Sequence, residues 1–311
     1  SRKKQSKRDF QIFIEQFWSG KQTRMIKRIV KLLIAIVFRC VEKIIAFFRN
    51  DNDKPGTCVV LMYHDVTNSN LSRFIRQMEI LPHLAIPVSA NSLSKLQKGT
   101  HHVAVTFDDG FATTIEMVLP VLTRNAIPTA FFIPTAHLGK EAVWLTDEER
   151  RKLTGPILTA ENLKLLSKNK GVTIGSHGMN HRRLTEIKDD DARKELAESK
   201  RQLENITGTK VKTHSFPYGV YDDRHVAMAR KAGYDYVFTV EPTIVVGNQK
   251  SPVIGRVQVE PTDWLMEFKL KVLGDYRWHP CASRLKNILW LQKKQQEVTT
   301  INDKSHNGFN T

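Results

Sequence analysis

The chain has no apolar stretch long enough to cross a bilayer unbroken. In its most hydrophobic part, residues 25–49, Lys27, Arg28, Lys31, Arg39, Glu42 and Lys43 interrupt every window, whereas a spanning helix needs roughly 18 or more apolar residues in a row. Cysteine is scarce: Cys40, Cys58 and Cys281 are odd in number and at no metal-ligand spacing, which argues against a disulfide framework and fits a reducing compartment. No cleavable signal peptide is recognisable, because the basic start leads into a charge-interrupted region without a small-residue cleavage site. A cytoplasmic location is therefore expected. Acids are nearly missing from the first 50 residues, which hold only Asp9, Glu15 and Glu42. The formal net charge of the whole chain is +16, a balance that admits nucleic acid, anionic lipid or acidic glycan as partners. No zinc-finger, helix-turn-helix or aromatic-flanked basic motif accompanies it, so nucleic acid is not the expected partner.

What the first segment does contain is an amphipathic pattern. At about 100° per residue, the charges of 25–49 fall in one arc of roughly 160°. Ile26, Ile29, Leu33, Ile36, Val37, Cys40, Val41, Ile44, Phe47 and Phe48 fill the other side. A wide apolar face beside a Lys/Arg-rich one fits a helix lying in the interface of an anionic membrane. A helix packed on the main domain, its basic face in water, gives the same pattern. "NDNDKPG", 50–56, reads as a linker, polar and closed by Pro and Gly.

From Thr57 the pattern changes to short apolar, β-branched runs: 58–63, 103–107, 129–133, 172–175, 212–216, 235–240 and 253–259. Most lack polar alternation, as strands buried on both faces do. Helix-like stretches lie between them, so the expected class is α/β, built from βα units around a parallel sheet or barrel. The expected organisation is a basic amphipathic segment and linker over 1–55, a barrel over 56–265, and a C-terminal extension over 266–311. In the extension, "SRLKNILWLQKKQQEV" reads as a helix and the end as a polar, disordered tail.

The polar residues fall at strand ends. His64-Asp65, Asp108-Asp109, His177 and Tyr218-Gly219 each lie at or just past the C-terminal end of a run, the rim where α/β barrels build active sites. "SHGMNH" places His177 and His181 four apart, so on a helical turn both imidazoles face one way and can grip an ion. With one carboxylate they form a facial set that leaves coordination positions open. One aspartate of "DDG" can be a ligand, and a second carboxylate beside a cation that acidifies water can take up the proton. A plain turn, with Asp capping the next helix and Gly at positive φ, also explains "DDG", but not the three other polar strand ends.

In that order, "TFDDG", "SHGMNH" and "SFPYG" resemble the polysaccharide deacetylase family, the NodB-homology or carbohydrate esterase family 4 group, over roughly residues 57–260. The resemblance implies a distorted (β/α)7 barrel, in agreement with the seven runs counted independently. It implies an activity that removes N-acetyl, sometimes O-acetyl, groups from sugars with a divalent metal, zinc foremost, with cobalt or nickel as alternatives. It assigns Asp108 as general base, Asp109, His177 and His181 as metal ligands, and the backbone N–H of Tyr218 as a donor to the oxyanion. Two departures stand out. Ser215 occupies a position where many members carry Arg, and Arg256 on the last strand is the candidate replacement, though an Arg at a strand end is also an ordinary rim ion pair. The late histidine that supplies the general acid is missing, and "LMYHDV" offers His64 instead, as in permuted poly-N-acetylglucosamine deacetylase-like members. A structural rim histidine is the other reading of His64.

The expected function is therefore a metal-dependent carbohydrate deacetylase, a hydrolase of carbon–nitrogen bonds. Its expected substrate is an acetylated glycan or lipid-linked amino sugar at the inner face of the membrane. A small-molecule amidohydrolase on the same fold is one alternative, and an inactive glycan-binding scaffold is another.

Overall fold

The computed structural model describes residues 20–48, 54–146 and 155–278. The chain divides into two compact units, 1–51 and 52–311. In the first, α1 (Gly20–Phe48) is one continuous helix, starting five residues before the apolar pattern that marks it. Many of its apolar residues lie open: Leu33, Val37 and Ile44 are each more than half exposed, whereas Ala35 is buried. Among the described residues no helix is long and apolar enough to cross a membrane.

The second unit is built on one ten-stranded sheet. Its strands are β1 (Thr57–Tyr63), β2 (Ile86–Pro87), β3 (His101–Phe107), β4 (Thr129–Ile133), β5 (Val172–Ser176), β6 (Thr213–Ser215), β7 (Tyr236–Phe238), β8 (Ile244–Val246), β9 (Val253–Ile254) and β10 (Val257–Gln258). The order is β10-β1-β3-β4-β5-β6-β7-β9, with β2 beside β3 and β8 beside β1. Apart from β8, which runs antiparallel to β1, every pairing is parallel. Six helices follow the strands: α2 (Leu71–Ile80), α3 (Ala112–Arg124), α4 (Ala160–Leu166), α5 (Asp189–Thr207), α6 (Asp223–Lys231) and α7 (Leu265–Val272).

The expected strand 253–259 is in fact two. β9 pairs with β7 and β10 pairs with β1, so the two ends of the sheet order are joined through Gly255 and Arg256 alone. That junction nearly closes the sheet into the distorted (β/α)7-type barrel. Gly255 makes the crossing possible, because a Cβ there would lie 2.1 Å from the Glu241 carbonyl oxygen. The short strands β2 and β8 add to the seven expected runs, as do helices α2 and α7. The expected helix at 283–298 lies outside the described residues.

Strand periodicity then fixes which residues face inward. Cys58 and Val60 of β1, Ala104 of β3, and Ala130 and Phe132 of β4 share the buried interior cluster with Phe238 and Ile254. Tyr63, Phe107 and Phe131, on the other face, stack in a row with Phe74 of α2 against their edge. Side chains two apart share a face, so the interior line of β3 runs from Ala104 through Thr106 to Asp108, and that of β1 from Val60 towards His64. The barrel's own period delivers both polar residues to the mouth of its interior.

Candidate active site

At the end of β3 the chain stays paired for one more residue, Asp108 N–H donating to Tyr63 O at 3.0 Å, and then turns sharply. Gly110 N–H donates back to Asp108 O, and Asp109 and Gly110 sit at φ 68° and 70°. Adjacent side chains of an extended strand point to opposite faces; this left-handed pair instead brings the Asp109 carboxylate to the same site as that of Asp108, the two lying 3.6 and 4.0 Å from His177 Nε2. Only glycine suits the second position, where a Cβ would also lie 2.5 Å from Ile133 Cδ1. Of the five non-glycine residues at positive φ among those described, Asp109, His181 and Tyr218 belong to this one site. Strain of this kind is held where the surrounding structure over-determines the backbone.

His177 follows β5, its N–H bonded to Ile133 O. Its Nδ1–H donates to Ser215 O at 2.8 Å, which leaves Nε2 with a free lone pair, as a ligating imidazole requires. Residues 177–183 form a loop, not a helical turn as the four-residue spacing predicted. Gly178 and His181 at φ 77° and 54° break any helix, and the Glu195 carboxylate of α5 fastens the loop by accepting from Met179 N, Asn180 N and Asn180 Nδ2. The histidines converge nonetheless. His177 Nε2 and His181 Nε2 lie 3.6 and 3.2 Å from Asp109 Oδ1, and the ligand atoms of the three residues are all within 4.8 Å of one another.

These residues fit a divalent cation. All three are buried, and Asp109 Oδ1 is buried with no hydrogen-bond partner among the described residues, an arrangement that costs free energy unless something positive meets it. Burial by itself raises the Asp109 carboxyl, but the adjacent His181 ring and the charges of the histidines hold it below its ordinary range. Burial pushes the His177 imidazole down to about 4, so it stays neutral and able to ligate.

Asp108 has a different environment. Its Oδ1 accepts from Arg256 Nη1 and its Oδ2 from Arg256 Nη2, both at 2.7 Å. Arg256 is fully buried, and its remaining donors reach Thr239 O, Thr106 Oγ1 and Ser215 Oγ. Burial raises the Asp108 carboxyl, and the guanidinium outweighs it, with His177 adding to the effect, so the group lies well below the usual carboxylate range. Arg256 thus forms a bidentate buried pair, not a solvated rim contact. Ser215, a departure from the family pattern, places its hydroxyl on both Asp108 Oδ2 and Arg256 Nη2.

His64 is half-buried at the end of β1, near enough for its charge to act on both Asp108 and Asp109. Tyr218 lies on the rim, partly exposed at φ 60°. Its ring meets that of His181 edge-on at 4.8 Å, with the Arg183 guanidinium 4.4 Å above it. All seven residues singled out in the sequence therefore gather at one end of the barrel. Sequence reasoning missed Glu195, the hydroxyl of Ser215, and Trp144, which packs on His181. The first lies on a helix face and the last in a loop, and neither carries a spacing that would mark it.

The chain is similar to known proteins in sequence and in fold. Residues 95–237 match the family model for polysaccharide deacetylase. The Bacillus subtilis protein named "Putative polysaccharide deacetylase YxkH" is 25% identical over 221 residues, 67% of this chain and 74% of that protein. Poly-beta-1,6-N-acetyl-D-glucosamine N-deacetylase of Staphylococcus aureus is 28% identical over 166 residues, 50% of this chain, which spans only about half (54%) of that relative's length. The solved structure of IcaB from Ammonifex degensii shares the fold with a TM-score of 0.59 at 21% identity, covering 70% of this chain and 98% of that one. The Streptococcus pyogenes deacetylase PplD, solved in complex with acetate, does so with a TM-score of 0.58 at 18% identity, covering 70% and 99%.

Proposed function

We propose that this chain hydrolyses N-acyl groups, foremost N-acetyl, from an amino sugar of a polysaccharide or lipid-linked glycan. The observation that carries the reading is the meeting of Asp109, His177 and His181 as a buried ligand set with a second carboxylate, Asp108, held ionised beside it by Arg256. A divalent ion bound there, zinc in our reading, supplies Lewis acidity to the acyl carbonyl and to water. Asp108 accepts the proton of the attacking water, while Arg256 and Ser215 fix the direction of its carboxylate. The backbone N–H of Tyr218 donates to the oxygen on which negative charge develops. His64 gives its proton to the departing amine nitrogen, so the amine leaves neutral. The deacetylase names of the relatives support this chemistry, as does the acetate bound in the PplD structure.

We further propose that α1 seats the protein on an anionic membrane at its inner face. The support is the exposed apolar surface of α1 beside Lys27, Lys31 and Lys43, since apolar burial and headgroup attraction together retain interfacial helices.

Acetate release from a panel of acetylated glycans and lipid-linked amino sugars, with metal-stripped protein as control, tests the main reading. Metal-dependent release is expected, and release by stripped protein equal to that of loaded protein would overturn it. His64→Ala should lower turnover on the acetamide by on the order of 100-fold and remove the alkaline limb of the profile. An activated aryl acetate, whose leaving group needs no proton, should be affected much less. Near-parental acetamide turnover in that variant would place the acid elsewhere.

A further inference from the structure

The two histidines of the ligand set are held in different ways. His177 is fixed through its second nitrogen, which donates to Ser215 O; that is the usual way a protein orients a ligating imidazole. His181 has no such hold, for its Nδ1 is buried without a hydrogen-bond partner among the described residues. It also sits in a loop at φ 54°, outside the regular structure that restricts side-chain direction in helices and strands.

What touches the His181 ring is aromatic. The Trp144 indole lies flat against it, centroids 4.1 Å apart and planes 21° apart. His177 and Tyr218 meet it edge-on, each at 4.8 Å. Trp144 is in turn braced edge-on by buried His137 at 4.9 Å. His137 ends a 3-10 turn (Thr135–His137) whose Thr135 and Ala136 N–H groups donate to Gly178 O and Met179 O of the same ligand loop. The indole and the histidine it covers are thus tied to one frame. The contact is made by the ring face, since the indole N–H itself has no hydrogen-bond partner among the described residues.

We propose that Trp144 is a positioning residue for the metal site: its indole face, in place of a hydrogen bond, sets the ring plane of His181 and aims Nε2 at the cation. The inference rests on the reading of Asp109, His177 and His181 as a metal-ligand set. Stacked aromatic pairs contribute specific geometry beyond the area they bury, and removing a group that orients a ligating histidine typically weakens metal binding about 10- to 100-fold.

The test is zinc affinity of the full-length chain, measured by competition with a chromophoric chelator, and the absorption spectrum of the cobalt-loaded protein. Trp144→Ala should bind zinc about 10- to 100-fold more weakly and change the cobalt spectrum. Trp144→Phe, which keeps a flat face, should recover most of the affinity and the parental spectrum. Trp144→Leu keeps apolar bulk without the face and should resemble Trp144→Ala, so the comparison of Leu with Phe stands even if the alanine variant folds poorly. Val143→Ala, at the exposed neighbouring position, should bind as the parent does. Parental affinity and spectrum in Trp144→Leu would overturn the positioning role while leaving the ligand set intact. A parent chain that binds no zinc would overturn both.

Discussion

At the scale of single residues, Asp108 and Arg256 are both buried and joined by two short charge-assisted hydrogen bonds. Removing one partner therefore strands the other's charge in the barrel interior. Arg256→Ala should destabilise the fold by about 3–5 kcal/mol, read as a lower urea midpoint. Arg256→Lys should recover part of that loss, because it restores the charge but not the planar fork. A loss under about 1 kcal/mol for the alanine variant would mean the pair is solvated like a surface one. His214 gives a second residue-scale expectation. It is buried behind the ligand loop, its Nδ1 bonded to Ser176, and burial pushes it down to about 3. The unfolded chain takes up that proton near pH 6.5, so below this value the unfolded state binds more protons and stability falls with pH. The urea midpoint of metal-free protein should drop progressively as pH falls from about 6.5, and His214→Asn should flatten the slope. An unchanged slope would assign the acid sensitivity to other groups.

At the scale of elements, the strands and their rim were legible because apolar runs and strand-end polar residues both follow from chain periodicity. The segment 253–259 was not, since a short β-branched segment with Gly255 and Arg256 at its middle does not reveal that its halves pair with different strands. Nor does the spacing of His177 and His181 distinguish a helical turn from a loop; what decides is Glu195, which reaches the loop from α5. Asp108, Asp109, His177 and His181 could be read as a constellation from the residues themselves. Arg256 entered only through family resemblance, because nothing in "IGRVQV" shows that the chain kinks there and turns a guanidinium inward. The kink can be tested. Gly255→Ala places a methyl group 2.1 Å from a backbone oxygen, so thermal unfolding should shift down by an amount equivalent to about 1–3 kcal/mol or more. Parental stability would show that β9 and β10 can shift apart without cost.

At the scale of the whole molecule, two units with different chemistry share the chain. The barrel unit carries the site, and α1 carries an open apolar surface with basic residues beside it. A chain lacking residues 1–49 should remain folded but no longer sediment with vesicles containing anionic lipid. The full chain should bind those vesicles less well at high salt, where the attraction is screened. Equal sedimentation of both would refute the membrane role of α1.

The central claim is that Asp109, His177 and His181 hold one catalytic cation while Asp108 stands beside it as the base. Zinc stoichiometry and acetate release, measured together on the parent chain, His181→Ala and Asp108→Asn, test it most directly. The account predicts one ion and activity in the parent, neither in His181→Ala, and an ion without appreciable turnover in Asp108→Asn. Full metal occupancy in His181→Ala, or loss of the ion in Asp108→Asn, would contradict it.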